Sequence, residues 1–411
     1  MKSILILCDM FPPAFGPRMG YLCKYLKANN INPVVVTEYI PDETFRFLKG
    51  DTEVTYINYY STASSKVRRA ALLLLDMFFC YKDVRLYREA LKKTEGRNFD
   101  LILCSTYRTF PLVAAGRLAL KTGLPLVVDL RDIIEQYSGT EFIAHRLPRL
   151  FGLEGILAAW FRRRSVGVRN RALGRASVVT TVSPWHVETL RRYKPHLIYN
   201  GFDPEIFFPS PKPAERFNIT YTGRLLSTAM RDPSLLFEAV EKLAAEGIIS
   251  PDRFVIRWYM DEKSEEIIRR EASKYPLAVA LMSYNAYVPA PEIPGILNES
   301  NILLLLTNKS SAKGPKGVMT TKFFEYLAVQ KPILCVRGDE ALLEKTIADT
   351  HSGISAHTAS EAYVFIKNLY QQWLSDPHSP ITTFPKREEI LKFSRASQAG
   401  QFMELFENLH V

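Results

Sequence analysis

Short apolar runs alternate with helix-patterned stretches through the first 200 residues. Ser3–Cys8 is continuously apolar after its first residue, and a turn-rich loop at 9–20 follows it. Residues 21–28 then repeat apolar positions at helical spacing, and 33–37 form another apolar run. Leu126–Leu130, Val178–Thr181 and residues 101–104 continue the series, with a helix-patterned stretch at 110–121. Runs of this length, buried on both faces and separated by helices, predict a parallel α/β sheet.

The pattern breaks at Asn200-Gly201-Phe202-Asp203-Pro204, and Pro209, Pro211 and Pro213 follow closely, which reads as a linker. The theme then repeats. Residues 218–222 are a strand pattern leading into Gly223, Ser234–Ala245 is helical, and Phe254–Tyr259, Ile302–Leu306 and residues 332–336 are strand patterns. The expectation is an α/β protein of two Rossmann-like domains, 1–200 and 205–385, with a mostly helical segment at 386–411. Two such units with parallel sheets facing across a cleft would present their C-terminal strand ends to it, where open parallel sheets bind ligands.

A chain of 411 residues with 47% hydrophobic and 23% charged residues has core material for two domains. The five cysteines are scattered, without the spacing of a zinc site or disulfide framework, so a reducing, cytoplasmic setting is expected and no metal. The most apolar later stretch, 70–81, contains Asp76 and is too short to span a bilayer. Charge changes the picture more. Residues 1–200 hold 30 basic and 17 acidic residues, the remainder 23 and 26. The whole excess therefore lies in the first half and points to an anionic partner there.

Four segments carry candidate chemistry. Residues 317–334 describe a loop, a helix from about Thr320, and a buried strand. Thr320 or Thr321 can cap that helix, its N-terminus and Lys322 attract a diphosphate, and Glu325 stands one turn on, able to accept from ribose hydroxyls. An amphipathic helix with Lys322 and Glu325 solvated fits the same pattern. At Tyr221-Thr222-Gly223-Arg224 a strand ends in a residue that lets a ligand approach and a guanidinium that can grip phosphate, with Arg231 downstream. A turn at Gly223 and an Arg224–acid pair is the plainer account. The loop Phe11–Gly20, holding Gly16, is glycine-bearing without the dinucleotide-binding spacing. Val128-Asp129-Leu130-Arg131-Asp132 crowds charges at a strand end, as an active site or a structural ion pair would.

In order and spacing, these segments together resemble glycosyltransferase family 4, retaining enzymes of the GT-B fold. Thr180-Thr181-Val182-Ser183, Asn200-Gly201-Phe202-Asp203 and Lys322-Phe323-Phe324-Glu325-Tyr326-Leu327 complete the likeness, which spans nearly the whole chain. The resemblance implies that the second domain holds a nucleotide-diphosphate sugar, UDP- or GDP-linked. Arg224 would grip the diphosphate, Glu325 the ribose, and the turn at Thr320 and Thr321 would supply backbone donors. Gly16 would let the sugar–phosphate lie against the first domain. Arg131, with Asp132, would stand near the transferred sugar, and the last helix would return to the first domain. Three departures mark a divergent branch: Gly317 replaces the first of two acids eight positions apart, no lysine closely follows Gly223-Arg224, and Arg131 replaces a histidine. No DxD triplet occurs, so neither metal nor other cofactor is expected.

Between Arg146 and Arg175 there are eight arginines and one acid, Glu154, interleaved with apolar residues, and Lys66-Val67-Arg68-Arg69 precedes a similar stretch. Such stretches suit an anionic membrane surface, as do ordinary helices with solvated arginines; no nucleic-acid module is visible. The expectation is a retaining transferase acting on a saccharide or lipid-linked acceptor in cell-surface polysaccharide or glycolipid synthesis, peripheral on the inner face of the cell membrane. A catalytically inactive binding subunit and a nucleotide-sugar epimerase are the alternatives.

Overall fold

The structure, a computed structural model, describes residues 3–59, 66–137, 139, 142–143, 154–210, 212–225, 227–228, 231–307, 319–338, 340–379, 381 and 385–409. The chain forms two compact units, residues 1–199 with 396–411, and residues 200–395.

In the first unit seven strands lie in one parallel sheet. They are β1 (Ser3–Cys8), β2 (Asn32–Glu38), β3 (Glu53–Ile57), β4 (Leu101–Thr106), β5 (Leu126–Leu130), β6 (Val178–Thr181) and β7 (His196–Leu197), in the order β3-β2-β1-β4-β5-β6-β7. All pairings are parallel. The order reverses between β1 and β4, so the loops after those strands diverge and leave a crevice at their C-terminal ends. The helices α1 (Pro17–Ala28), α2 (Lys66–Phe79), α3 (Tyr81–Thr94), α4 (Leu112–Thr122) and α5 (Glu154–Leu173) connect them. Buried β1, β4 and β5 send alternate residues to two apolar clusters. One contains Leu5, Leu7, Ile102 and Val128 with Ala115 and Leu118 of α4. The other contains Ile4, Ile6, Leu22 and Leu26 with Phe402 and Phe406 of the last helix, Arg395–Glu407.

The second unit is a six-stranded parallel sheet, β8 (Phe217–Thr222), β9 (Phe254–Tyr259), β10 (Met282–Asn285), β11 (Ile302–Leu306), β12 (Ile333–Val336) and β13 (Gly353–Ala356), ordered β10-β9-β8-β11-β12-β13. Here the reversal falls between β8 and β11. An apolar cluster built on Phe217, Phe237, Trp258 and Tyr370 covers one face. Phe202 and Arg395 lie side by side at the unit's two chain ends, where Phe202 N–H donates to Phe393 O at 3.1 Å and Arg395 N–H to Phe202 O at 2.7 Å. This is the structural use of the Asn200–Asp203 segment. Two α/β units with parallel seven- and six-stranded sheets constitute the GT-B fold that the sequence led us to expect.

One buried ion pair holds the first unit's site in place. Arg18 of α1 donates to both carboxylate oxygens of Asp129 on β5, at 2.9 and 2.8 Å, and to the carbonyls of Tyr199 and Ile198, each at 3.0 Å. Ser105 and Thr180 hydroxyls donate to the same carboxylate at 2.8 Å. Burial alone would raise this carboxyl; Arg18 and the hydroxyls outweigh it and hold the carboxyl below its ordinary range. Within Val128–Asp132, Asp129 is therefore an anchor for α1, β4 and β6.

Removing one member of a buried pair typically costs about 3–5 kcal/mol. Asp129→Ala should lower the first unit's stability toward urea by that order, while Arg18→Met/Asp129→Leu costs much less than the two single changes added. Near-additive losses would show that the pair does not act as one.

Candidate functional site

In the second unit the β8–β11 crevice is lined by cations around one phenol. β8 ends at Tyr221 and Thr222, and Gly223 follows with φ +112°. A Cβ there would lie 2.6 Å from both Cε and Nζ of Lys322, so a side chain would strain the backbone and push the lysine aside. Lys322, on helix Thr321–Val329, donates from Nζ to the Tyr221 hydroxyl at 3.0 Å and sits 4.3 Å from that ring's centre. Arg231 Nη1 also reaches the hydroxyl, at 3.4 Å, and donates to the Arg224 carbonyl. The hydroxyl in turn donates to that carbonyl at 3.0 Å. Burial lowers the Lys322 ammonium's pKa. Burial would raise Tyr221, yet Lys322 and Arg231 bring it below its ordinary value. Two cations thus meet at one hydroxyl, Arg231 from 10 residues and Lys322 from 101 residues away in sequence.

Glu325 stands one turn beyond Lys322. Burial pushes its carboxyl up to about 7, against the pull of Lys322 and Arg395, and it takes no hydrogen bond from any described residue. Thr320 occupies the N-cap position with extended backbone, but its side chain does not cap the helix: Oγ1 is buried without a partner among the described residues, and Thr321 is already helical. The cap expected from either threonine is therefore absent, and the Thr320 hydroxyl is left for another partner. Arg224 points elsewhere. Its guanidinium is exposed, pairs with Asp261 at 3.2 Å and borders an open cavity of about 1040 Å³ with Tyr284 and Tyr287. In Arg231-Asp232-Pro233, Asp232 is structural: it is buried, accepts from Arg337 Nε at 2.6 Å, and accepts from Ser234 N–H at 3.0 Å where the helix Ser234–Ala245 begins. Gly317 lies outside the described residues.

In the first unit the C-terminal ends of β1, β4 and β5 bring together Asp9, Tyr107, Arg131 and Asp132. Arg131 pairs with Asp9, which also accepts from Tyr107 N–H at 3.2 Å. Burial raises Asp9, and Arg131 opposes the shift. The Arg131 guanidinium lies 5.4 Å from the Tyr107 ring centre, and that of Arg108 lies 4.6 Å from it. Burial likewise raises Asp132, whose carboxylate accepts from the Tyr137 hydroxyl at 3.0 Å. Burial drives His186 down to about 4 and keeps it neutral between Thr181 Oγ1 and Gln136 Oε1, each at 2.9 Å. Ser183 caps that histidine's helix, so the Thr180–Ser183 segment is framework. Gly16 is buried at the start of α1, with the Met10 and Phe11 backbone where a side chain would stand. Asp9 and Tyr221 had no assigned role in the sequence reading; the signal available was position, each sitting at the C-terminal end of a buried strand. Among the described residues, no cluster of three His, Cys, Asp or Glu could hold a metal ion.

Residues 18–206 match the family model of Glycosyltransferase Family 4. No curated protein matches the sequence. Solved structures match over the full length. Sucrose-phosphate synthase from Thermosynechococcus elongatus superposes with a TM-score of 0.63 at 16% identity, covering 100% of this chain and 99% of that one. HepE from Anabaena, in complex with UDP and glucose, gives 0.62 at 15% identity, covering 99% and 100%. The lipopolysaccharide outer core galactosyltransferase WaaB, in its apo form, gives 0.56 at 13%, covering 99% of each chain.

The raised Glu325 has a measurable consequence. A carboxyl near 7 in the folded chain and near 4.5 in the unfolded one keeps its proton longer when folded. Stability should therefore fall as pH rises from about 4.5 to about 7 and level off above, and this component should vanish in Glu325→Gln. Urea melts of both proteins across that range check it; identical pH profiles would mean that Glu325 ionises normally.

Proposed function

We propose that this chain is a glycosyltransferase that takes a hexosyl or N-acetylhexosaminyl group from a UDP- or GDP-sugar and passes it, with retention, to a saccharide or lipid-linked acceptor. The observation that carries the reading is the cluster at Tyr221, where Lys322 and Arg231 converge beside Gly223, with the Glu325 carboxyl one turn away taking no hydrogen bond from the described residues. A diphosphate offers the cations the acceptors they lack, and the Glu325 carboxylate suits the hydroxyls of a ribose. The family match over 18–206 and the HepE complex with UDP and glucose support the same ligand class.

In this reading the bond between the sugar's anomeric carbon and the diphosphate oxygen breaks as the acceptor oxygen attacks from the same face. The acceptor's proton passes to the departing diphosphate. Lys322 and Arg231 hold the charge that develops there, the Thr320 hydroxyl and first-turn N–H groups add donors, and no divalent cation takes part. Arg224 joins the diphosphate by leaving Asp261. An exposed pair of this kind is worth about 0–1 kcal/mol, less than a charge-assisted phosphate contact of about 1.5–3 kcal/mol, so the exchange is favourable. Gly16 is assigned to the donor side of the first-unit loop. Arg131, fixed by Asp9, and Asp132 are assigned to the transferred sugar and acceptor. We place the activity in cell-surface polysaccharide or glycolipid synthesis, in the cytoplasm.

A thermal-shift panel of UDP-, GDP-, ADP- and TDP-sugars should show stabilisation by one or two members, undiminished by EDTA. Lys322→Ala and Arg231→Ala should each weaken that ligand by about tenfold to a hundredfold, in keeping with the loss of one charge-assisted contact. Glu325→Gln should bind ribo- and 2′,3′-dideoxy nucleotides alike, while wild type prefers the ribo form. No shift with any sugar nucleotide removes the reading. Conversion of the sugar without an acceptor would instead make the chain an epimerase, and binding without turnover an inactive binding subunit.

A further inference from the structure

The first unit carries an apolar face that its own fold leaves uncovered. In α2, Val67, Ala71, Leu74, Leu75 and Phe78 recur at 4-3-1-3 spacing and so share one side of the helix. All are exposed, Val67 to 80% and Leu74 to 54%, and the neighbouring Phe79 to 74%. Asp76 accepts from Lys82 N–H at 3.0 Å. In α5 the same logic places Ile156, Trp160, Arg163, Gly167 and Arg171 on one stripe, with Ile156 exposed to 70%. Phe78 and Trp160 join the two helices, ring centres 5.7 Å apart. Seven of the 18 large hydrophobics exposed among the described residues lie on these two helices. That concentration makes one patch rather than scattered surface apolarity.

The charges around the patch indicate what covers it. Arg162 donates to the carbonyls of Ile134 and Tyr137, Arg164 to Phe78 O, and Arg169 pairs with Glu135 at 2.5 Å, so these three arginines are tied into the framework, where the sequence left a membrane face and a solvated face open. Arg146 and Arg149 lie outside the described residues. Arg163 and Arg171 are different: they are exposed and make no ion pair or side-chain hydrogen bond among the described residues. Arg171 reaches, with Arg117 of α4 and Arg175, a cavity of about 350 Å³ that no acid lines. Self-association through this face would set the same arginines of two copies close together. An apolar stripe with a tryptophan that runs into unpaired arginines instead matches a bilayer, acyl chains under the stripe and phosphates at the basic end. No helix of the described residues is long and apolar enough to cross a membrane.

We infer that the α2–α5 face docks on an anionic phospholipid surface, with Ile156, Trp160 and the α2 stripe entering the interface and the Arg117–Arg171–Arg175 cavity receiving a lipid phosphate. The face belongs to the first unit and the Tyr221 cluster to the second, so lipid binding and nucleotide binding are separately measurable.

Flotation of the full chain with phosphatidylcholine vesicles, with and without phosphatidylglycerol, tests it. Wild type should float with the phosphatidylglycerol vesicles, less at 1 M salt, where the Debye length falls to about 3 Å. Val67→Ser/Phe79→Ser/Ile156→Ser and Arg117→Gln/Arg171→Gln should each lower the bound fraction by on the order of tenfold, with unchanged melting temperature and nucleotide shift. Failure of wild type to float, equal flotation on phosphatidylcholine alone, or a triple variant that floats like wild type would overturn the inference. So would a concentration-dependent dimer lost in the triple variant while wild type ignores vesicles, which would give the face to a second copy.

Discussion

The second unit is organised by the cost of keeping the Lys322 ammonium out of bulk water. Its position against the Tyr221 ring and hydroxyl gives it one hydrogen-bond acceptor and a favourable ring face, while Arg231 brings a second positive charge to the same oxygen. Glu325 is close enough to feel Lys322 but is itself pushed toward its neutral form by burial. The local account therefore leaves positive charge incompletely matched. Gly223 follows from this arrangement, since any side chain there would displace the lysine, and so does the direction of the helix that carries Lys322.

The first unit shows the opposite solution. Arg18 is more deeply buried, yet all its donors described above have acceptors, and Asp129 has four donors of its own. A fully matched pair positions strands; it has nothing left for a ligand. Arg131 lies between these cases. Asp9 fixes one side of its guanidinium, while its Nε is buried without a partner among the described residues, as is the Nε of Arg108 beside the same tyrosine. The difference between anchored and incompletely satisfied cations separates framework from site more sharply than does the presence of charge at a strand end.

This difference also explains what the sequence could and could not reveal. Buried strands such as β1, β5, β6, β9 and β11 are short, largely apolar or β-branched runs, and their expected bounds coincide with those observed. The strands that escaped, β3, β7, β10 and β13, are sheet edges, with no apolar run to mark them. Lys322, Glu325 and Arg231 were legible as candidates because each sits at a helix start or strand end. Tyr221 and Asp9 gained their importance from partners 101 and 122 residues away, which no local pattern encodes. The arginines of α5 look alike in sequence, and only the fold separates those turned to carbonyls from those left at the surface. Arg224 shows the converse: its exposed contact with Asp261 is what the ordinary propensity of a surface arginine would provide.

The central claim is that the Lys322–Arg231–Tyr221 cluster receives a diphosphate. The most direct measurement is the titration of the Lys322 ammonium by NMR with selectively labelled lysine, assigned through Lys322→Arg, in the free protein and with a saturating UDP- or GDP-sugar chosen by thermal shift. The account predicts a value below that of an ordinary lysine in the free protein, because burial disfavours the charged form, and a clear rise on binding, because a diphosphate favours it. A Lys322 signal that titrates like a surface lysine, or one that does not move when the sugar nucleotide is bound, would contradict it.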